Sequence, residues 1–183
     1  MSKTVDQHHH VHHHQREQER DLMALPKAEL HLHLEGAMRR STLLELCDTH
    51  GISPIPRDTA QKRFDGFSEF VDVYIAACDC LRERSDVHRL MREVTQDAKT
   101  SGATWIEIAP SFTFYADRFG GPFETLKLLA EVAEKAEKET GVGIGLVVSV
   151  ERQLGVMEAE KLARLVQRAT AELKICGRPA VVG

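Results

Sequence analysis

No stretch of this chain approaches the roughly 18–20 consecutive apolar residues of a membrane span, and its N-terminus lacks the apolar core of an export signal. The expectation is a cytoplasmic protein with no membrane partner. Basic charge is also short: the net charge is −4 and no Lys/Arg stripe occurs, so the electrostatic footprint of a nucleic-acid binder is missing. The four cysteines, Cys47, Cys78, Cys80 and Cys176, form no CxxC pair and no regular framework, which predicts reduced thiols. No GxGxxG follows a strand pattern; the glycines at 141, 143 and 145 come between a helix and a strand, on the wrong side for a dinucleotide site. HExxH is absent, which removes the commonest zinc-protease motif, and so is the Pro-Cys-x-x-Cys of cytidine-type deaminases.

What the chain does have is concentrated in Leu25–Gly36, LPKAELHLHLEG. From Glu29 to Leu34 apolar and polar residues alternate, the two-residue period of a strand. Leu30, Leu32 and Leu34 are then expected on one face, with Glu29, His31 and His33 on the other. Two imidazoles two residues apart on a strand sit roughly 6–7 Å apart at the backbone, close enough to converge on one metal ion. A His-x-His alone often arises by chance and can be a satisfied core pair. The preceding proline, the three leucines and the following acid and glycine favour an inward-facing pair at the mouth of a barrel.

With 42% hydrophobic and 28% charged residues, the rest reads as one soluble globular domain. Met1–Asp21 has no hydrophobic period and carries His8, His9, His10, His12, His13 and His14; it is expected to be a disordered, functionally bland tail, although such a cluster can bind Ni²⁺, Cu²⁺ or Zn²⁺ loosely. Residues 22–183 form the domain. A short helix is predicted from Ser41 to His50-Gly51, and then an irregular Ser53–Pro56. Phe67, Phe70, Val71, Tyr74 and Ile75 mark an amphipathic helix, and another runs from about Asp86 to Ser101. Gly102–Pro110 is a second strand, Pro122–Gly141 a helix opened by proline, and Val142–Val150 a third strand. A last helix is predicted from Met157 to Ile175, stopped by Gly177, with the opening of a fourth strand at Pro179–Gly183. Strands alternating with helices predict an α/β fold with a parallel sheet, either an open sheet or a barrel.

Leu25–Arg39, LPKAELHLHLEGAMR, resembles the first barrel strand of the adenosine/AMP deaminase family of metal-dependent amidohydrolases. Gly102–Phe112 and Val142–Gln153 are similar to later segments of that family, so the resemblance runs from about Leu25 to Gly183 but covers only its N-terminal half. It implies the N-terminal half of a (β/α)₈ TIM barrel, about four parallel strands with outer helices, with the site at the C-terminal strand ends. A complete barrel needs about 250 residues, so the sequence is expected to be a fragment that stops in its fourth strand. Its open strand edges would pair with a C-terminal half or with a second copy.

The resemblance also implies a chemistry, the hydrolytic deamination of adenosine to inosine and ammonia by a water that Zn²⁺ activates, as part of purine metabolism. Adenine or another modified 6-aminopurine is the alternative substrate, and a non-catalytic half-barrel that binds metal or a partner chain is the alternative class. His31 and His33 are the implied metal ligands. The remaining ligands and all the proton-transfer residues of the family would lie beyond Gly183, so no catalytic residue is assigned within the chain. Glu35 falls where many members carry the acid that contacts the ribose 5′-hydroxyl, although a solvated or helix-terminal carboxylate is an equal reading. Phe70 and Tyr74 resemble the aromatic pair covering the purine, although ordinary core packing is the commoner role for such a stripe. Gly36 is expected to give a tight turn and close approach to substrate. Arg152 would be polar support at the catalytic end, and Glu107 faces in or out depending on register.

Overall fold

The computed structural model describes residues 21–22, 24–52, 64, 66–150 and 155–183. The His-rich tail up to residue 20, the Ser53–Pro56 connection and Arg152 lie outside the described residues. Three strands form one parallel sheet in the order β1 (Lys27–His33), β2 (Ala103–Ala109) and β3 (Gly143–Leu146). Five helices connect or follow them: α1 (Arg40–His50), α2 (Phe67–Cys78), α3 (Arg84–Thr100), α4 (Pro122–Thr140) and α5 (Val156–Glu172).

The helix boundaries follow local chemistry. Gly51 ends α1 in the left-handed region (φ 63°), where a side chain would be strained. Glu83 and Asp86 form a reciprocal capping box at the start of α3. Pro122 opens α4, where no N–H is needed, and Gly141 closes it at φ 77°.

The core lies between the sheet and α3 and α4. Ile106, Ile108, Ile144 and Leu146 point from the strands onto Val87, Leu90, Met91 and Val94 of α3 and Leu126, Leu129 and Ala133 of α4, all essentially buried. Alternate residues of the same strands, Trp105, Glu107 and Gly143, are only partly covered. The register pairs Trp105 with Gly143 and Glu107 with Gly145, which settles the side of Glu107: it shares the Trp105 face, opposite the helices.

Two expectations need correction. β1 does not alternate strictly. Ala28 pairs with Trp105 and Glu29 with Ile106, but next come Leu32 with Ile108 and His33 with Ala109, so Leu30 and His31 together span the place of Glu107 alone. That is a β-bulge, and its residue His31 has φ 61°. Leu30 is consequently 61% exposed, while Leu34 is buried. At the other end, the last helix stops at Glu172 instead of Ile175. Lys174–Ile175 (β4) and Arg178–Pro179 (β5) form an antiparallel pair, and Gly177 sits in their turn with Cys176, both at positive φ.

The predicted fourth strand begins beside β3. Leu146 N–H donates to the Ala180 carbonyl, Val182 N–H to that of Leu146, and Val148 N–H to that of Gly183, a parallel ladder that carries pairing past Leu146. Arg178 steadies this corner through two hydrogen bonds to Glu137, which also accepts from the Ile144 N–H. The Arg178 hydrogen bonds hold the Glu137 carboxyl below the usual carboxylate range, against the opposing effect of burial. A depressed folded-state pKa contributes stability above the ordinary value of about 4.3, lost as pH falls through the folded value. Glu137→Gln should therefore flatten the acid limb of a Tm-against-pH curve and leave the slope near neutrality unchanged.

Candidate active site

The site is built at the C-terminal end of β1. The bulge does not separate the two imidazoles: the ring centroids of His31 and His33 lie 5.1 Å apart and nearly perpendicular. Both residues are exposed, so solute can reach both imidazoles. A non-glycine residue in the left-handed region is uncommon, although histidine is among the types enriched there. Strain of this kind is concentrated at functional sites.

Glu35–Ala37 follows as a single 3₁₀ turn. Gly36 forms part of that turn without using positive φ, so its backbone does not demand glycine. A Cβ there would meet Tyr74 Cε2 at 3.5 Å and the His33 Cβ at 3.6 Å, so glycine leaves free the space between those two side chains.

α2 supplies the wall. The Tyr74 ring stands edge-on to His33 with centroids 6.0 Å apart, and Phe70 stacks on Tyr74 at 6.3 Å. The helix forms as the stripe predicts, but the stripe is not core. Phe67 is 79% and Phe70 43% exposed, and Cys78 is the only fully buried residue of the helix. The aromatic row instead lines the open side of the site, next to the imidazoles.

Glu35 lies behind this wall, 1% exposed. Its Oε1 accepts from the Tyr115 hydroxyl at 2.6 Å and its Oε2 from the Tyr74 hydroxyl at 2.6 Å. The Ser111 N–H is shared between the two oxygens at 3.1 and 3.2 Å. Tyr74 Oη also lies 2.9 Å from Ser111 Oγ. Burial, reinforced by the neighbouring carboxylate, pushes both tyrosine hydroxyls well above their ordinary pKa, so each stays protonated and donates.

Neither Ser111 nor Tyr115 belongs to a motif that the sequence displays. Ser111 directly follows Pro110 at the C-terminal end of β2, where barrel folds carry function, and that position was the one available signal. Tyr115 sits between two short 3₁₀ turns and reaches Glu35 across 80 residues of sequence, which no local pattern encodes.

Two imidazoles fit a zinc ion in donor type and spacing, but they supply half of a four-ligand set. Among the described residues no group of three or more His, Cys, Asp or Glu side chains is placed to hold a metal. No helix among the described residues is long and apolar enough to cross a membrane. An apolar cleft of about 350 Å³ opens between the start of α4 and α5, lined in part by Phe123, Leu162 and Leu165, and none of the site residues borders it.

Comparison with known proteins places this geometry. A Streptomyces virginiae protein provisionally named adenosine/adenine deaminase is 38% identical over 162 residues, covering 83% of this chain and 47% of its own length. The adenine deaminase of Arthrobacter aurescens superposes with a TM-score of 0.65 at 25% identity, over 78% of this chain and 45% of that one. A Burkholderia ambifaria amidohydrolase solved with bound zinc gives a TM-score of 0.67 at 25% identity, over 83% and 43%. The chain thus spans about half the length of the relatives it matches, and its sheet and helices are the N-terminal half of their barrel. The family model described as adenosine deaminase matches residues 26–177, and the chain belongs to that family.

Proposed function

We propose that this chain provides the first-strand metal arm and the aromatic wall of an enzyme that hydrolyses a 6-aminopurine, adenosine or adenine, to the 6-oxopurine and ammonia. The observation that carries the reading is the His31/His33 pair, held open at a strand end with centroids 5.1 Å apart and flanked by Tyr74. Zinc at such a site supplies a water acidified to near neutral pH as the nucleophile for C6. His31 and His33 would hold it, neutral and oriented by the bulge. Phe70 and Tyr74 present apolar ring surface to the flat purine, and Gly36 leaves room between His33 and Tyr74 for the substrate edge. Glu35 completes this side by bracing the wall from behind.

Both nucleobase and nucleoside remain candidate substrates, in keeping with the relatives' names. Release of ammonia from adenine and adenosine, and of methylamine from N6-methyladenosine monophosphate, measured with zinc and after chelation, separates them. Zinc-independent turnover, or turnover that survives loss of both imidazoles, would overturn the assignment.

A second reading has its own support, since the described residues offer two metal donors and no third. On that reading the 183-residue chain binds a divalent ion or a partner chain without turnover. The purified chain given adenosine and zinc would then bind metal and form no inosine, whereas inosine formation by the chain alone would exclude it.

A further inference from the structure

The Glu35 carboxylate has no capacity left for a substrate. A carboxylate offers about four lone-pair sites, and here three donors make four contacts with them. The group is also 1% exposed, so a solute hydroxyl could reach it only by displacing a tyrosine or the Ser111 N–H. Displacing Tyr115 or the Ser111 N–H would leave a buried donor without a partner, at a cost of about 1–3 kcal/mol, and displacing Tyr74 would leave its hydroxyl only Ser111 Oγ.

What the carboxylate does hold is informative. Tyr115 and Ser111 belong to the segment after β2, Tyr74 belongs to α2, and Glu35 itself follows the metal-arm strand by two residues. Glu35 therefore ties three separate pieces of chain together behind the site. Of these, α2 is the most weakly fastened by apolar packing, because one of its twelve residues is fully buried. The Glu35–Tyr74 hydrogen bond supplies what packing does not: it sets how far along α2 the Tyr74 ring reaches toward His33.

We propose that Glu35 is a positioning residue which, by holding the Tyr74 hydroxyl, fixes the Tyr74 ring edge-on against His33 and so sets the resting orientation of that imidazole. Ser111 and Tyr115 serve the same end, since they hold the carboxylate in the one rotation that presents Oε2 to Tyr74. The consequence for catalysis rests on the deaminase reading; the mechanical coupling from Glu35 to His33 does not.

The test uses the 183-residue chain with labelled histidine and follows the His33 ring Cε1–H resonance, assigned by its loss in His33→Asn. Tyr74→Phe removes a hydroxyl and leaves the ring; Glu35→Gln keeps the volume and removes the charge. Each should move the His33 resonance, in the same direction, and the double variant should move it no further than the larger single change, the non-additivity of residues acting in series. The Raman doublet of tyrosine provides a spectroscopic check, because the chain's two tyrosines are both bonded to Glu35. Glu35→Gln should shift that doublet away from its strong-donor ratio. Thr140→Val, which removes a hydroxyl bonded to the Ala136 carbonyl far along the chain, is the control and should leave His33 where it is. A His33 resonance unmoved by Tyr74→Phe in folded protein, or shifts that add in the double variant, would overturn the proposal. If Glu35→Gln fails to fold, Tyr74→Phe alone decides. Absence of deaminase turnover leaves this readout intact, so the two ideas fail separately.

Discussion

Joint replacement of His31 and His33 by alanine should lower zinc-dependent ammonia release by about 10³-fold or more, because several kcal/mol of charge stabilisation disappear at about 1.4 kcal/mol per decade of rate. The measurement belongs on the longest protein the gene encodes, with zinc content read alongside kcat. Stability should move little, since both side chains are exposed and neither fills the core. His31 allows a sharper version. Its φ of 61° lies where an L side chain costs about 1–2 kcal/mol, more than the roughly 0.5–1 kcal/mol that glycine's extra backbone freedom costs in a strand. His31→Gly should therefore keep or raise Tm while it removes turnover. Opposite signs for stability and activity at one position would identify strain retained for ligand geometry. If His31→Gly lowered Tm by several degrees, the bulge would not be as strained as its dihedral states. If activity and zinc both survived the double alanine variant, the metal arm would be elsewhere.

The sequence made the periodic elements legible, because their signals are local. α3 and α4 followed from their apolar stripes and from Pro122 and Gly141, and β2 from a short apolar run between Gly102 and Pro110. The segment from Val142 read as one strand of nine residues, while β3 as such ends at Leu146 and the pairing then passes through Val147 and Val148 to neighbouring chain. What escaped depended on partners distant in sequence. The bulge at Leu30–His31 becomes visible only against the register of β2, since alternation in β1 by itself looks unbroken. Phe70 and Tyr74 read more readily as core because aromatic helix stripes usually pack, but Phe70 is 43% exposed and its ring neighbours are Phe64, Phe67 and Tyr74, an aromatic row at the surface. Glu35 read as a ligand to substrate or a surface acid because its three donors lie 39 to 80 positions away. The site's two halves thus differ in kind. The imidazole pair is written into five consecutive letters, and the brace behind it exists only in the folded chain.

A side chain at Gly143 should be the most damaging single methyl group that could be added to the sheet. The Cβ of Gly143→Ala would lie 2.5 Å from Trp105 Cε3 and 2.9 Å from Cζ3, distances no carbon pair sustains. At Gly145 the added carbon would meet Val182 Cγ2 at 2.7 Å and Trp105 Cζ2 at 3.0 Å. Neither glycine is at positive φ, so both are there for room: they form the trough in which the indole lies flat across β3. The indole cannot swing away without loss. Its Nε1–H reaches Glu107 at 3.4 Å, and the Arg178 guanidinium, held by Glu137, lies 5.4 Å from its ring centroid. Overpacking of this kind costs about 1–3 kcal/mol, which for a domain of this size lowers Tm by about 2–4 °C per kcal/mol. Gly143→Ala should reach the upper end of that range. Gly145→Ala should fall below it, because the Val182 side chain, 47% exposed, can turn aside. Trp105 is the only tryptophan of the chain, so its emission reports the same event directly: the band should shift in Gly143→Ala as the ring is lifted toward solvent. Equal Tm and unchanged emission in that variant would mean that the indole does not rest on β3. The effect should also reach the site, because Trp105, Glu107 and Ala109 share one face of β2 and His33 pairs with Ala109 at its end. If His31 and His33 hold zinc as proposed, Gly143→Ala should therefore weaken zinc binding more than its loss of stability alone requires.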